Sequence, residues 1–400
     1  MAASLDELAR IGRDAGGGVT RVAWSPELFR AYDWVGDRLR ELGLEVELDA
    51  AGNLLARWQA GAGAPILVGS HLDTVPTGGR FDGVFGVVAA VHAIRLLKAE
   101  GFMPSRPIWI AAFMDEEGTR FGAALFGSRA FAGEDVGDLG DRVDADGVTL
   151  RGAMTAAGLD FDRVGDAHRV EEIGAYLELH IEQGPVLEAE GRDLGVVSSI
   201  VGLRGYRVRL SGEANHAGTT PMSMRRDAFA GAARIALALR DEARARENVT
   251  ANVGMISVQP GGANVVPGVA DFTIDVRAAT PGNLALLDAL VSETVTRIAA
   301  EEGLGHALEQ TFALEPLELD PCLAAALERA ADAEGASTMR KPSGAGHDAM
   351  VVGRHVPAAM LFVPSRGGVS HSPHEYSEPA QVELGMRVLA ATLRGSLRAE

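Results

Sequence analysis

The 400-residue chain has one cysteine, Cys322, which excludes an intrachain disulfide and fits a reducing cytoplasm. No partner motif surrounds it, so it reads as a buried structural thiol and not as a nucleophile. No apolar run approaches the roughly 20 residues that cross a bilayer. The opening residues, Met1-Ala-Ala-Ser-Leu-Asp-Glu-Leu, lack both the basic and the long apolar region of a signal peptide. Basic charge is scarce as well: 37 Lys and Arg stand against 55 Asp and Glu, a net charge of −18. That balance repels nucleic acid and anionic membranes, and stretches such as Arg225-Arg226 are too short to reverse it. Internal repeats and low-complexity tails are absent. The remaining composition, 47% hydrophobic and 23% charged, is that of a globular protein with length for two domains. A cytoplasmic protein with no nucleic-acid and no membrane partner is expected.

The chain is organised around Gly69-Ser-His-Leu-Asp-Thr-Val-Pro-Thr-Gly-Gly-Arg-Phe-Asp-Gly83. The apolar run before it, Ala64-Pro-Ile-Leu-Val68, predicts a buried parallel strand, and the apolar stretch from Val84 predicts a helix. His71, Asp73 and Asp82 therefore sit on a glycine-rich loop at the carboxyl end of a strand, where open α/β sheets place their chemistry. Imidazole with carboxylate suits Zn²⁺, Mn²⁺, Co²⁺ or Ni²⁺ without choosing among them. In that reading His71 is a ligand, Asp73 orients its ring and Asp82 has two oxygens with which to bridge two ions. A polar turn whose Asp side chains bond their own backbone is the plain alternative.

Pro107-Ile-Trp-Ile-Ala-Ala-Phe-Met114 predicts the next parallel strand, ending at Asp115-Glu116-Glu117-Gly118. These carboxylates are either a solvated loop or a metal ligand, Glu117, beside a free general base, Glu116. Helical periodicity covers 5–15 and 26–43, and residues 128–170 offer only a short helical piece near Leu150–Ala157. Ala175-Tyr-Leu-Glu-Leu-His180 is a further strand with a histidine at its end. From about Gly205 the order becomes β-α-β-β-α-β, the ferredoxin-like split unit, read as an insertion between 205 and 316. The flanking parts, 1–204 and 317–400, form one α/β domain. Gly344-Ala-Gly-His-Asp-Ala349 matches a dinucleotide fingerprint, but no acidic residue ends a following strand and that reading is rejected. After the last strand, Val363-Pro-Ser-Arg-Gly-Gly-Val-Ser-His371-Ser-Pro-His374-Glu375 supplies further histidines.

Five motifs in order resemble one family: Gly69-Ser-His-Leu-Asp-Thr-Val with Gly78-Gly-Arg-Phe-Asp-Gly; Glu116-Glu-Gly-Thr-Arg-Phe; His180-Ile-Glu-Gln-Gly-Pro; Asn215-His-Ala-Gly-Thr-Thr-Pro-Met; and Pro364-Ser-Arg-Gly-Gly-Val-Ser-His. The family is the dinuclear metallo-amidohydrolases comprising N-carbamoyl-L-amino-acid hydrolases, allantoate amidohydrolases and β-ureidopropionase, relatives of aminoacylase and carboxypeptidase G metallopeptidases. The resemblance runs from about residue 20 to 395. It implies a metallopeptidase-like α/β catalytic domain with an inserted ferredoxin-like α+β lid and dimerisation domain, hence a homodimer. It implies two divalent ions per chain, one on His71, His180 and Asp82 and the other on Glu117, His371 and the bridging Asp82. His374 competes with His371, but the family spacing of a His four residues before a Glu selects His371 with Glu375. Glu116 becomes the general base, and Gln183, His216, Asn264 and Arg277 the substrate contacts, with His216 also catalytic. Arg277 reads otherwise as a surface arginine paired with Asp275 or Glu315. The implied activity is hydrolysis of a linear amide in a small ureido acid, an N-carbamoyl-L-amino acid first and allantoate as rival. A non-catalytic binding protein of the same architecture is the contrasting class, and the intact Glu116 speaks against it.

Overall fold

The apolar runs become strands in the computed structural model, which describes residues 1–396. The principal strands are β1 (Glu45–Leu48), β2 (Leu54–Trp58), β3 (Ile66–His71), β4 (Ile108–Phe113), β5 (Ala175–Ile181), β6 (Leu194–Ile200), β7 (Gly202–Ser211), β8 (Val249–Gln259), β9 (Val269–Ala278), β10 (Gly305–Leu314) and β11 (Ala358–Val363). They belong to two units. The first holds Met1–Ser198, Leu319–Lys341 and the chain from Ala345 onward; the second holds Ser199–Glu318 with Pro342–Gly344.

In the first unit the sheet runs β1-β2-β4-β3-β5-β11-β6. Its centre, β4-β3-β5-β11, is parallel. Every residue of these four strands is buried, because helices cover both faces, and this is why β3, β4 and β11 read as apolar runs. The helix Val84–Ala99 is buried along most of its length and packs on β3 and on the helix Pro379–Ser396. Helix Pro26–Glu41 starts where Ser25 accepts a hydrogen bond from the Leu28 N–H, with Pro26 in its first position. Parallel strands point their carboxyl ends the same way, so the loops after β3, β4, β5 and β11 gather on one side of the sheet.

Three expectations change. The first helix is Ala2–Leu8 and not 5–15; the chain then turns, and Arg13 bridges to Val19, since Gly12 and Gly16-Gly17-Gly18 are poor helix formers. The 128–170 region carries more structure than expected, with 3₁₀ turns at Phe161–Ala167 and Val170–Glu172 beside the helix Leu150–Ala156. Cys322 is exposed, not buried: it lies in the first turn of helix Pro321–Ala333, where its N–H donates to the capping Asp320.

The second unit follows the chain order β7, helix Ala228–Arg244, β8, β9, helix Pro281–Glu301, β10. Its sheet is antiparallel throughout in the order β10-β7-β9-β8, the split ferredoxin-like arrangement. β9 alternates strictly, turning Phe272, Ile274 and Val276 onto Ile235, Leu239, Leu287 and Val291 of the two helices. Asp227 and Thr280 cap those helices with side-chain oxygens. The unit reaches back to Ser199, because β7 pairs with β9 from Gly202 opposite Ala278 onward. No helix among the described residues is long and apolar enough to cross a membrane.

Candidate metal centre

The site is built at the carboxyl ends of the first unit's parallel strands. β3 ends in His71 and β5 delivers His180, both buried, with ring centroids 5.9 Å apart. Each ring is oriented through Nδ1, His71 on the Asp73 carbonyl at 3.0 Å and His180 on the Ile181 carbonyl at 2.9 Å. A backbone acceptor at Nδ1 puts the proton there and leaves Nε2 as the ligand atom. The two Nε2 atoms face Asp82 Oδ1, at 3.9 Å from His71 and 3.1 Å from His180. The other carboxylate oxygen, Asp82 Oδ2, meets His371 Nε2 at 3.1 Å, and the same nitrogen lies 3.5 Å from Glu117 Oε2. Asp82 is thus shared by two groups, His71 with His180 and Glu117 with His371, and within each group the possible ligand atoms lie within 4.8 Å of one another.

The surroundings hold this arrangement. Asp73 accepts from the Glu116 and Glu117 N–H groups at 3.3 and 3.1 Å, tying the β3 loop to the β4 loop. Glu375 accepts from the N–H groups of Phe81 and Asp82 at 2.8 and 3.0 Å, and from the Ser370 hydroxyl at 2.9 Å. Gln183 donates its amide to Asp82 Oδ2 at 2.8 Å. Gly83, at φ +64°, presses against the His71 ring, and a Cβ there would collide with it. Asp115, Gln183 and His371, none of them glycine, also hold left-handed backbone, at φ of 57°, 56° and 53°. Such strain gathers where the fold forces side chains inward at a functional site.

The electrostatics are those of a cation site. Burial works against ionisation of Asp82, yet hydrogen bonds from His180 and His371 hold its carboxylate well below the usual range. His71, although buried, is pushed well above the usual imidazole range, chiefly by Glu116 and Asp73. The hydrogen bond to Asp82 raises His371 to about 9. Burial, with Asp82 adding, raises Glu117 to about 7. Glu116 has 10% of its side chain exposed and lies 3.6 Å from His71 Nε2; burial pushes it well above the carboxylate range against the pull of His71. Protons therefore crowd onto imidazoles and carboxylates that together present excess negative charge, the donor chemistry that suits divalent ions.

A third group, Glu178, His180 and His347, also lies within ligand distance. Its carboxylate is already engaged: Glu178 accepts from Ser70 Oγ at 2.9 Å, Tyr176 Oη at 3.2 Å and the Ala349 N–H at 2.9 Å. It serves as a strut joining β3, β5 and the helix Asp348–Val352. His347 packs edge-on against the His180 ring at 4.4 Å, and burial keeps it neutral by lowering its pKa well below the usual value. Sequence reasoning missed Glu178, His347 and the Ser370–Glu375 contact to Asp82. The Gly344–Ala349 stretch matches only the rejected dinucleotide fingerprint, and a lone His-Asp pair before a helix gives little signal.

His374 stands apart from these two groups, which hold His371 instead. In the second unit His216 and Asn264 come together: His216 bridges to Val265, and the Ala217 N–H donates to the Asn264 carbonyl at 2.8 Å. Arg277 on β9 donates to Asp275 at 2.9 Å and to the Gly344 carbonyl at 2.9 Å, so its guanidinium already has the carboxylate partner of the surface-pair reading.

A parallel α/β sheet with paired acid and histidine clusters at its strand ends defines a metallohydrolase of the peptidase type. The chain belongs to peptidase family M20/M25/M40, whose profile matches residues 67–395. It is 40% identical to an N-carbamoyl-L-amino acid amidohydrolase of Geobacillus stearothermophilus over 392 residues, covering 97% of this chain and 96% of that one. Identity to an allantoate amidohydrolase of Bacillus subtilis is also 40%, over 395 residues, 97% of this chain and 95% of the relative. The fold superimposes on a Burkholderia multivorans amidase of the hydantoinase/carbamoylase family with TM-score 0.93 at 38% identity, covering 98% and 96% of the two chains.

Proposed function

We propose that this chain is a metal-dependent amidohydrolase that cleaves a linear C–N bond in a small ureido acid, an N-carbamoyl-L-amino acid foremost. Water and the ureido group then yield the amino acid, carbon dioxide and ammonia. The observation that carries the reading is the pair of ligand groups sharing Asp82 beside the buried carboxyl of Glu116. Relatives named for such substrates, at 40% identity across nearly the whole chain, support it.

In this reading His71, His180 and Asp82 would hold one divalent ion, and Glu117, His371 and Asp82 a second. Divalent ions held there, Zn²⁺, Mn²⁺, Co²⁺ or Ni²⁺ by ligand type, would supply Lewis acidity toward the scissile carbonyl and toward water. Glu116 is the general base, taking a proton from water and returning it to the leaving nitrogen. Gln183 contacts substrate from the loop that follows β5, two residues beyond its end.

The second unit is assigned the role of lid and dimerisation domain. His216 stabilises the developing oxyanion, while Asn264 and Arg277 hold the substrate carboxylate, Arg277 by exchanging Asp275 for it. A homodimer formed through this unit is part of the same proposal. Allantoate is the second reading, favoured by the equal identity of the Bacillus subtilis relative.

The test is ammonia release from N-carbamoyl-L-amino acids, allantoate, ureidoglycolate and N-carbamoyl-β-alanine with each metal added. N-carbamoyl-L-amino acids should turn over fastest. Preference for allantoate would move the assignment to the second reading, and no metal-dependent release from any of them would refute both.

A further inference from the structure

His374 takes no part in the ligand groups, but it lines a separate cavity of about 530 Å³ in the first unit, where the N-terminal residues meet the Gly78–Arg80 loop and residues 373–376. Four arginines, Arg10, Arg13, Arg80 and Arg366, line it as well, in a chain whose net charge is −18. The lining carboxylates leave Arg10 and Arg13 unpaired. Glu375 is buried and turned inward onto the N–H groups of Phe81 and Asp82, and Asp6 is engaged by Arg80.

Two of the arginines are fixed in place. Arg80 pairs with Asp6 and Arg366 with Glu378, and their guanidiniums lie 5.5 and 4.0 Å from the centre of the Tyr376 ring. Arg10 and Arg13 are exposed, and among the described residues neither side chain has an ion-pair or hydrogen-bond partner. The cavity thus offers two guanidiniums with unspent donors and two more along its wall. Planar guanidinium forks match carboxylate and phosphate oxygens, and the volume falls within the roughly 300–1,000 Å³ of small-molecule sites.

We propose that this cavity binds a small polyanion carrying two or more phosphate or carboxylate groups, with Arg10 and Arg13 as the principal contacts. The site is separate from the candidate metal centre and does not rest on the activity proposed there. Arg10 and Arg13 lie on the surface, and replacing them removes charge without opening the core.

The experiment is isothermal titration of the full-length protein with pyrophosphate and with citrate, run on wild type, on Arg10→Gln, Arg13→Gln and their double variant, and on His71→Ala. One-to-one binding is expected in wild type and in His71→Ala. It should weaken in each single variant and fall at least about tenfold in the double variant, as loss of two charge-assisted contacts implies. Binding of pyrophosphate alone would identify a phosphate ligand, and of citrate alone a polycarboxylate. The proposal is overturned if neither probe binds, if the arginine variants bind as wild type does, or if His71→Ala abolishes binding and so places the anion at the metal centre.

Discussion

Replacing Glu375 by alanine tests how the Asp82 loop is held. Glu375 lies more than 290 residues along the chain from that loop, yet its Oε1 accepts from both Phe81 and Asp82 N–H groups and its Oε2 from Ser370. The contacts to Phe81 and Asp82 are buried, so alanine leaves two N–H donors without an acceptor. At about 1–3 kcal/mol for each of the two orphaned buried groups, the folded protein should lose roughly 2–6 kcal/mol. Glu375→Gln keeps an amide oxygen for the two N–H groups and should lose markedly less. Gly79→Ala should resemble Glu375→Ala, because a Cβ at Gly79 would collide with the same carboxylate. Urea unfolding of the metal-stripped protein reads the stability. Calorimetric titration with Mn²⁺ reads the consequence for Asp82, an affinity loss of about 10–100-fold, the scale for removing groups that orient ligands. If Glu375→Ala unfolds at the wild-type urea midpoint and binds Mn²⁺ as tightly, the Asp82 loop does not depend on this contact and the reasoning fails.

Other substitutions separate the proposed roles. His371→Ala should weaken metal binding by at least about tenfold, whereas His374→Ala should leave it unchanged; the reverse pattern in a metal titration would move the ligand to His374. Glu116→Gln should keep the full metal content while lowering turnover roughly 10²–10⁴-fold, the usual scale for a lost general base, and near-normal turnover would send the search to Asp115. Arg277→Lys should raise KM for N-carbamoyl acids with metal content unchanged, because an ammonium cannot make the planar two-point contact; equal hydrolysis of an acid and its neutral amide by wild type would remove the clamp.

The parts of the fold that could be read from the sequence are those with a strong local pattern. β3, β4 and β11 are unbroken apolar runs because both faces of the parallel sheet are covered, and β9 alternates because one face of its sheet is solvated. Histidines and acids directly after such runs fall at strand ends by chain geometry alone, which is how His71, Glu116, Glu117 and His180 stand out. The supports are a different matter. Glu178 looks like one polar residue in an alternating strand, and Glu375 like one acid in a polar loop. Their partners, Ala349 and Phe81, lie 171 and 294 residues away. No local periodicity encodes such contacts. The three residues Pro342–Gly344 likewise join the second unit only through tertiary pairing, with the Val201 N–H donating to the Ser343 carbonyl.

The most direct test removes metal with a chelator and titrates Mn²⁺, Co²⁺, Ni²⁺ or Zn²⁺ back while ammonia release from an N-carbamoyl-L-amino acid is followed. With Asp82 shared between His71–His180 and Glu117–His371, activity should vanish on stripping and return to a plateau at about two ions per chain, as two-ion hydrolytic centres require. Full activity with no more than one ion bound, or undiminished hydrolysis by the stripped protein, would contradict the shared-carboxylate centre.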